Sequence, residues 1–135
     1  MTTEEGSSIA VPDHAAALPK CSTLIELRDS LREFALERDW DQFHSPKNLA
    51  SALAVEAAEL LEPFQWLTEA QSKELTGEAL EALRKEMADV LLYLVRLADK
   101  LDVDLLSAAQ QKILENSSKY PVDRAKGSAK KYTDL

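Results

Sequence analysis

From Thr23 onward, apolar residues recur every three or four positions, and no stretch alternates apolar and polar in the manner of a strand. Leu24, Leu27, Leu31 and Phe34 mark one amphipathic helix running to about Asp39, opened by Thr23-Leu-Ile-Glu26 at capping-box spacing. After the aromatic connection Trp40-Asp-Gln-Phe-His44, Ser45 as N-cap and Pro46 at the first helical position open a second helix, which runs to about Leu61 and stops near Pro63. Its apolar stripe is Leu49, Leu53 and Leu60. Thr68-Glu-Ala-Gln71 again has capping-box spacing and predicts a short helix or turn before Gly77. The third and longest helix spans about Glu78 to Leu101, with Leu83, Val90, Leu94 and Leu97 as its stripe. A fourth starts near Asp104, a good N-cap, and ends before Tyr120-Pro121. The pattern therefore predicts an all-α domain over residues 22–121 with four main helices, between a flexible segment 1–21 and a polar tail 122–135. Such a chain is thin for a sealed bundle, so packing against a second copy is expected.

Two helices break their own pattern in the same way. Glu56 falls inside the second helix's apolar stripe, and Glu86 falls inside the third's; Glu59 and Asp89, three residues further on, lie at the stripe edges. An acidic residue on a helix is ordinarily solvated surface. A carboxylate on an apolar face is costly unless paired or bound to a cation. Two matched pairs on helices that can run antiparallel predict four carboxylates, Glu56, Glu59, Glu86 and Asp89, converging on one metal. Glu62, far round the wheel from Glu56, reads as surface charge or as a support behind the ligands, and Glu78 and Glu81 read as solvated. Four oxygen donors without sulfur or imidazole suit magnesium or manganese. A di-iron bundle would need Glu-x-x-His pairs, and neither His14 nor His44 has that spacing.

Composition narrows the choice. Only three glycines and five prolines in 135 residues favour helix throughout, and a net charge of −8 argues against a nucleic-acid polymer or an anionic membrane as partner. No apolar run reaches membrane-spanning length, since the longest, Val90 to Ala98, is interrupted by Arg96. The start MTTEEGSSIA lacks the features of a signal peptide, and the lone Cys21 excludes an internal disulfide, so a cytoplasmic protein is expected.

Magnesium commonly bridges protein carboxylates and substrate phosphates, which points to phosphoanhydride or phosphate-ester chemistry. No Gly-x-x-x-x-Gly-Lys-Ser/Thr loop is present, so phosphates are not held in a P-loop. Trp40, Phe43, His44 and Trp66 cluster at the two ends of the second helix and offer planes for a base; core or interface packing explains any one of them as well. Tyr93 lies between Glu86 and Asp89 on the helical wheel. Lys112 and Asn116, one turn apart with Tyr120 beyond, could meet phosphate or sugar, although singly such residues are usually just exposed.

The segments Glu-Arg-Asp-Trp-Asp-Gln-Phe-His-Ser-Pro-Lys-Asn (37–48), Glu-Ala-Ala-Glu-Leu-Leu-Glu-Pro-Phe-Gln-Trp (56–66) and Glu-Met-Ala-Asp-Val-Leu-Leu-Tyr-Leu (86–94) together resemble the MazG-like all-α nucleoside triphosphate pyrophosphohydrolases, and most closely their dCTP pyrophosphatase branch. Lys119-Tyr120-Pro121 and Lys130-Lys131-Tyr132-Thr133 also fit. The resemblance implies that Glu56, Glu59, Glu86 and Asp89 ligate magnesium, that Trp40, His44 and Trp66 line a base pocket, and that Tyr93, Lys112 and Asn116 contact sugar or phosphates. It further implies cleavage between the α and β phosphates to nucleoside monophosphate and pyrophosphate, and assembly as dimers or tetramers. Leu31 departs from animal relatives, which carry His there, and this bears on base preference. A dUTPase-type all-α enzyme and a non-catalytic nucleotide- or protein-binding helical module are the alternatives.

Overall fold

A computed structural model describes residues 18–135, and these are all-α with no strand among them. In chain order the helices are α1 (Leu24–Glu37), α2 (Pro46–Leu61), α3 (Glu69–Ser72), α4 (Gly77–Lys100), α5 (Leu105–Lys119) and α6 (Val122–Ala125), with 3₁₀ turns at Asp41–Phe43, Glu62–Phe64 and Tyr132–Asp134. Most of the segment read from sequence as a flexible tail, together with His14, lies outside the described residues.

Helix starts follow the caps legible in the chain. At α1 the Thr23 hydroxyl accepts from Glu26 N–H while the Glu26 carboxylate accepts from Thr23 N–H. Ser45 caps α2 ahead of Pro46, Thr68 and Gln71 form the second capping box at α3, and Asp104 caps α5 through Ser107 N–H. Two helix ends are alike. At α1, Trp40 N–H donates to Ala35 C=O (2.9 Å) and Asp39 N–H to Leu36 C=O (3.1 Å); at α4, Val103 N–H donates to Ala98 C=O (2.9 Å) and Asp102 N–H to Asp99 C=O (3.2 Å). Both are Schellman closures, and each places an aspartate, Asp39 or Asp102, in the left-handed region at φ 53°. Each closure folds the next apolar residue back over a buried alanine, Ala35 or Ala98.

The closest packing is α2 against α4, with α1 laid along the C-terminal part of α4. Leu49 of α2 and Leu83 of α4 are buried, as their stripes predict. Further along α4 the buried face is not the predicted one. Val95, Arg96 and Ala98 are enclosed while Leu94 is 37% exposed: α1 reaches α4 through the Arg32–Asp99 pair, and Arg96 is held by Asp41 and His44 of the α1–α2 connection. Buried apolar residues are few, and large apolar side chains such as Leu36, Val55, Leu61, Met87, Leu91, Ile113 and Leu114 remain open to solvent. Helix α5 is exposed at every residue from Ala108 to Lys119, so the fourth main helix completes no closed bundle within one chain. Segment 122–135, read as a polar tail, contains α6 and the Tyr132 turn. It is tied back by an edge-to-face contact of Tyr132 with Tyr120 (5.9 Å between ring centres), and within it Arg124 donates to the backbone oxygen of Leu135.

Candidate metal centre

The acidic residues come from the two most closely packed helices. Glu56 and Glu59 lie in the last two turns of α2, and Glu86 and Asp89 in the middle of α4. One carboxylate oxygen from each of Glu56, Glu86 and Asp89 lies within 4.8 Å of the others. Glu56 and Glu86 are half-buried. Burial first, then the neighbouring Glu59, Asp89 and Glu86 carboxylates, push the Glu56 pKa above its ordinary value. Glu86 Oε2 is buried with no hydrogen-bond partner. An orphaned carboxylate oxygen facing other carboxylates is a feature a cation would satisfy, and an all-oxygen donor set fits a hard divalent ion.

Glu59 neighbours Glu56 but is not one of the three whose oxygens lie within 4.8 Å of one another. It is exposed and lines an open cleft with Glu62, Pro63, Gln65, Trp66, Ala82 and Glu86. Trp66, 86% exposed, thus stands over the same cleft as Glu59 and Glu86. Glu62, the C-cap of α2 at the start of the 3₁₀ turn Glu62–Phe64, is exposed and also lines the cleft wall beside Glu59.

A second polar assembly lies further along α4. Arg96, 6% exposed, donates from Nε to His44 Nδ1 (3.1 Å), from one terminal nitrogen to Asp99 (3.0 Å) and from the other to Asp41 (2.5 Å). Arg32 Nε reaches both Asp99 oxygens (2.9 and 3.1 Å), and Lys100 pairs with Asp41. Trp40 precedes the 3₁₀ turn that His44 ends, and it packs edge-to-face on Phe34 (5.7 Å between ring centres). The structure therefore gathers Glu56, Glu86 and Asp89, sets Glu59 and Trp66 at the adjoining cleft, and puts Trp40 and His44 at the α1–α2 connection. Tyr93 is half-buried on α4, one turn past Asp89. Lys112 is engaged by Glu115 (2.9 Å) and Asn116 is exposed on α5; neither belongs to the carboxylate cluster or the cleft within one chain.

A MazG-like family model matches residues 51–135, the part of the chain that carries all four carboxylates. The chain belongs to the MazG-like family. Among its relatives, dCTP pyrophosphatase 1 of Rattus norvegicus is 45% identical over 98% of this chain and 77% of its own length. The Homo sapiens dCTP pyrophosphatase 1 is 42% identical over 96% of this chain and 77% of its own. The crystal structure of a pyrophosphatase from Archaeoglobus fulgidus superposes with a TM-score of 0.65 at 41% identity, covering 73% of this chain and 92% of that one. The carboxylate geometry is thus carried by a MazG-like fold.

Sequence reasoning did not single out Gln65, Asp41 or the Arg96–Asp99 pair in this MazG-like chain. Arg96 carried a usable signal, a charge inside the apolar run Val90 to Ala98, which is the same anomaly that exposed Glu56 and Glu86. Asp41 carried none, because its partners lie 55 and 59 residues away.

Proposed function

We propose that this MazG-like chain is a magnesium-dependent nucleoside triphosphate pyrophosphohydrolase that converts dCTP, or a dCTP modified at the base 5-position, to the monophosphate and pyrophosphate, and so cleanses the nucleotide pool. The observation that carries the reading is the convergence of Glu56, Glu86 and Asp89, together with the buried, unpartnered Glu86 Oε2. Its close relatives named as dCTP pyrophosphatases support the choice of base. No helix among the described residues is long and apolar enough to cross a membrane. The cytoplasm suits the lone, exposed Cys21, and the charge of −8 disfavours a nucleic-acid polymer as partner.

Glu56, Glu86 and Asp89, joined by Glu59, would hold magnesium, or manganese in its place. The ion supplies charge neutralisation at the triphosphate oxygens and a more acidic water. Glu59, exposed on the cleft side of the trio, accepts the proton as a water oxygen bonds to the α-phosphorus and the bond from that phosphorus to the α,β-bridging oxygen breaks, releasing pyrophosphate. Trp66 stacks beside the cleft, Trp40 and His44 recognise the base, and Tyr93 contacts the sugar. Lys112 and Asn116 reach phosphate or sugar in the assembled dimer or dimer-of-dimers, where α5 gains the neighbour it lacks in one chain.

The test is pyrophosphate release from dCTP, 5-methyl-dCTP, dUTP, dTTP and dATP with magnesium or manganese. Second-layer partners of metal ligands are worth about 10–100-fold, so Glu56→Ala and Asp89→Ala should lose at least that much turnover. Unchanged turnover in both variants would sink the site. Preference for dUTP would move the enzyme to the dUTPase-type reading, and nucleotide binding without product under any divalent metal would leave a non-catalytic module.

A further inference from the structure

Arg96 is a buried cation on an apolar helix face, and the carboxylate site leaves it without a role. Each of its contacts is directional: Nε faces His44 Nδ1, and its two terminal nitrogens face Asp99 and Asp41. A guanidinium has donors only. The His44 atom facing it at 3.1 Å must therefore present a lone pair, which leaves the ring proton on Nε2.

We propose that Arg96 is a positioning residue that holds His44 as the neutral imidazole protonated on Nε2, so that the pocket offers the nucleotide base a fixed hydrogen-bond donor. The proposal rests on the reading above that His44 belongs to the base pocket. The partner it selects is an acceptor on the base edge, a ring nitrogen or a carbonyl oxygen, both of which cytosine carries.

The surroundings resist a second proton on His44. Arg96 and Lys100 on α4 and Arg32 on α1 face Asp41 of the 3₁₀ turn and Asp99 of α4, three cations against two anions. Burial first, then the charges of Arg96 and Lys100, lower the His44 pKa, with Asp41 opposing. Protonating Nδ1 would also replace the bond from Arg96 with two donors facing each other. The neutral ring with its donor on Nε2 thus persists to lower pH than in an ordinary imidazole. Asp99 is held in turn by Arg32, so the orientation of the imidazole is fixed through α4 back to α1.

Long-range proton–nitrogen correlation of the full ¹⁵N-labelled chain reads this directly. The chain has two histidines, His14 and His44, and a His14→Gln variant assigns them. We expect His44 to show the Nε2–H pattern and to titrate below the ordinary imidazole value of about 6.5. An Nδ1–H pattern, or titration of His44 at or above the ordinary imidazole value of about 6.5, overturns the proposal. Because this measurement needs no turnover, its failure is distinct from failure of the pyrophosphohydrolase reading.

The kinetic arm tests the link to the base. His44→Ala should raise KM for dCTP about tenfold, the worth of roughly one hydrogen bond, with kcat little changed, and His44→Gln, which keeps a donor, should recover most of that. In Arg96→Met, which removes one of the causes that lower it, His44 should titrate at higher pH than in wild type, and KM should depend more steeply on pH below 7.5 than it does in wild type. An unaltered KM in His44→Ala, or a flat profile in a folded Arg96→Met, overturns the positioning role. If Arg96→Met does not fold, the wild-type spectrum decides alone.

Discussion

Glu86 shows how one residue can hold opposite consequences for stability and for function. Its Oε2 is buried without a partner among like charges, which costs the apo fold free energy. Glu86→Gln removes that charge while keeping the shape. We expect the apo variant to melt higher, by about 1 kcal/mol in unfolding free energy, and to lose the stabilisation that magnesium confers on wild type, both read by thermal denaturation with and without the ion. The charged residues titrate in contrary senses. The Asp41 pKa is lowered, first by its bond from Lys100, and that of Asp99 is lowered, first by its bond from Arg32. Their stabilisation is complete above the unfolded value of 3.8 and is lost as pH falls through the lower folded values. His44, also lowered, loses its contribution as pH drops below 6.5, because the unfolded chain then binds the proton better. Glu56 is raised, so its contribution favours the apo fold at acid pH and is lost as pH rises above 4.5. Urea unfolding of the metal-free protein should therefore show stability falling below pH 4, and Asp99→Asn should flatten that fall. The two acidic pairs were legible in sequence because each interrupts an apolar stripe on its own helix. The Arg96 lattice was not, because its definition needs Asp41 and Arg32, which only the fold brings near.

Among the elements, the helix starts were the most legible parts of the chain. A cap is a local contract between residues three apart, so Thr23, Ser45, Thr68 and Asp104 could be read without any tertiary information. Local signals served less well at the ends of α1 and α4, where aspartate stands at a position that usually favours glycine. Asp102→Gly should relieve the left-handed backbone and raise stability by about 0.5–1 kcal/mol in chemical denaturation. Asp39→Gly should gain less, because the Asp39 carboxylate also accepts from the Gln42 amide at 2.8 Å. The second half of α4 was misread for a different reason. Hydropathy assigned Leu94 inward, but the buried residues are its neighbours Val95 and Arg96, the latter held by Asp41 and His44, and an ion-pair contact carries no apolar period. Segment 122–135 escaped for want of length, since its order comes from Tyr132 on Tyr120 and not from any helical repeat.

For the molecule as a whole, the small buried core and the unpartnered α5 leave more apolar surface than an isolated monomer usually shows. We expect light scattering at micromolar concentration to give a mass that is a multiple of 15.0 kDa, and Ile113→Glu with Leu114→Glu on α5 to reduce it. A monomeric wild type would count against a shared active site. Sequence foretold this only as a shortage of core, since it does not say which face a second copy covers. The unbroken run of α4 has a consequence of its own. Glu86 and Asp89 sit on the same rod as Arg96, and from Asp89 to Arg96 the helix advances about 10 Å along its axis with no joint between. If the base rests near His44 and the phosphates near the carboxylates, α4 acts as a ruler between them. Changes to the pocket walls can then alter which base is welcome, while the admissible length from base to phosphate stays fixed by the pitch of one helix.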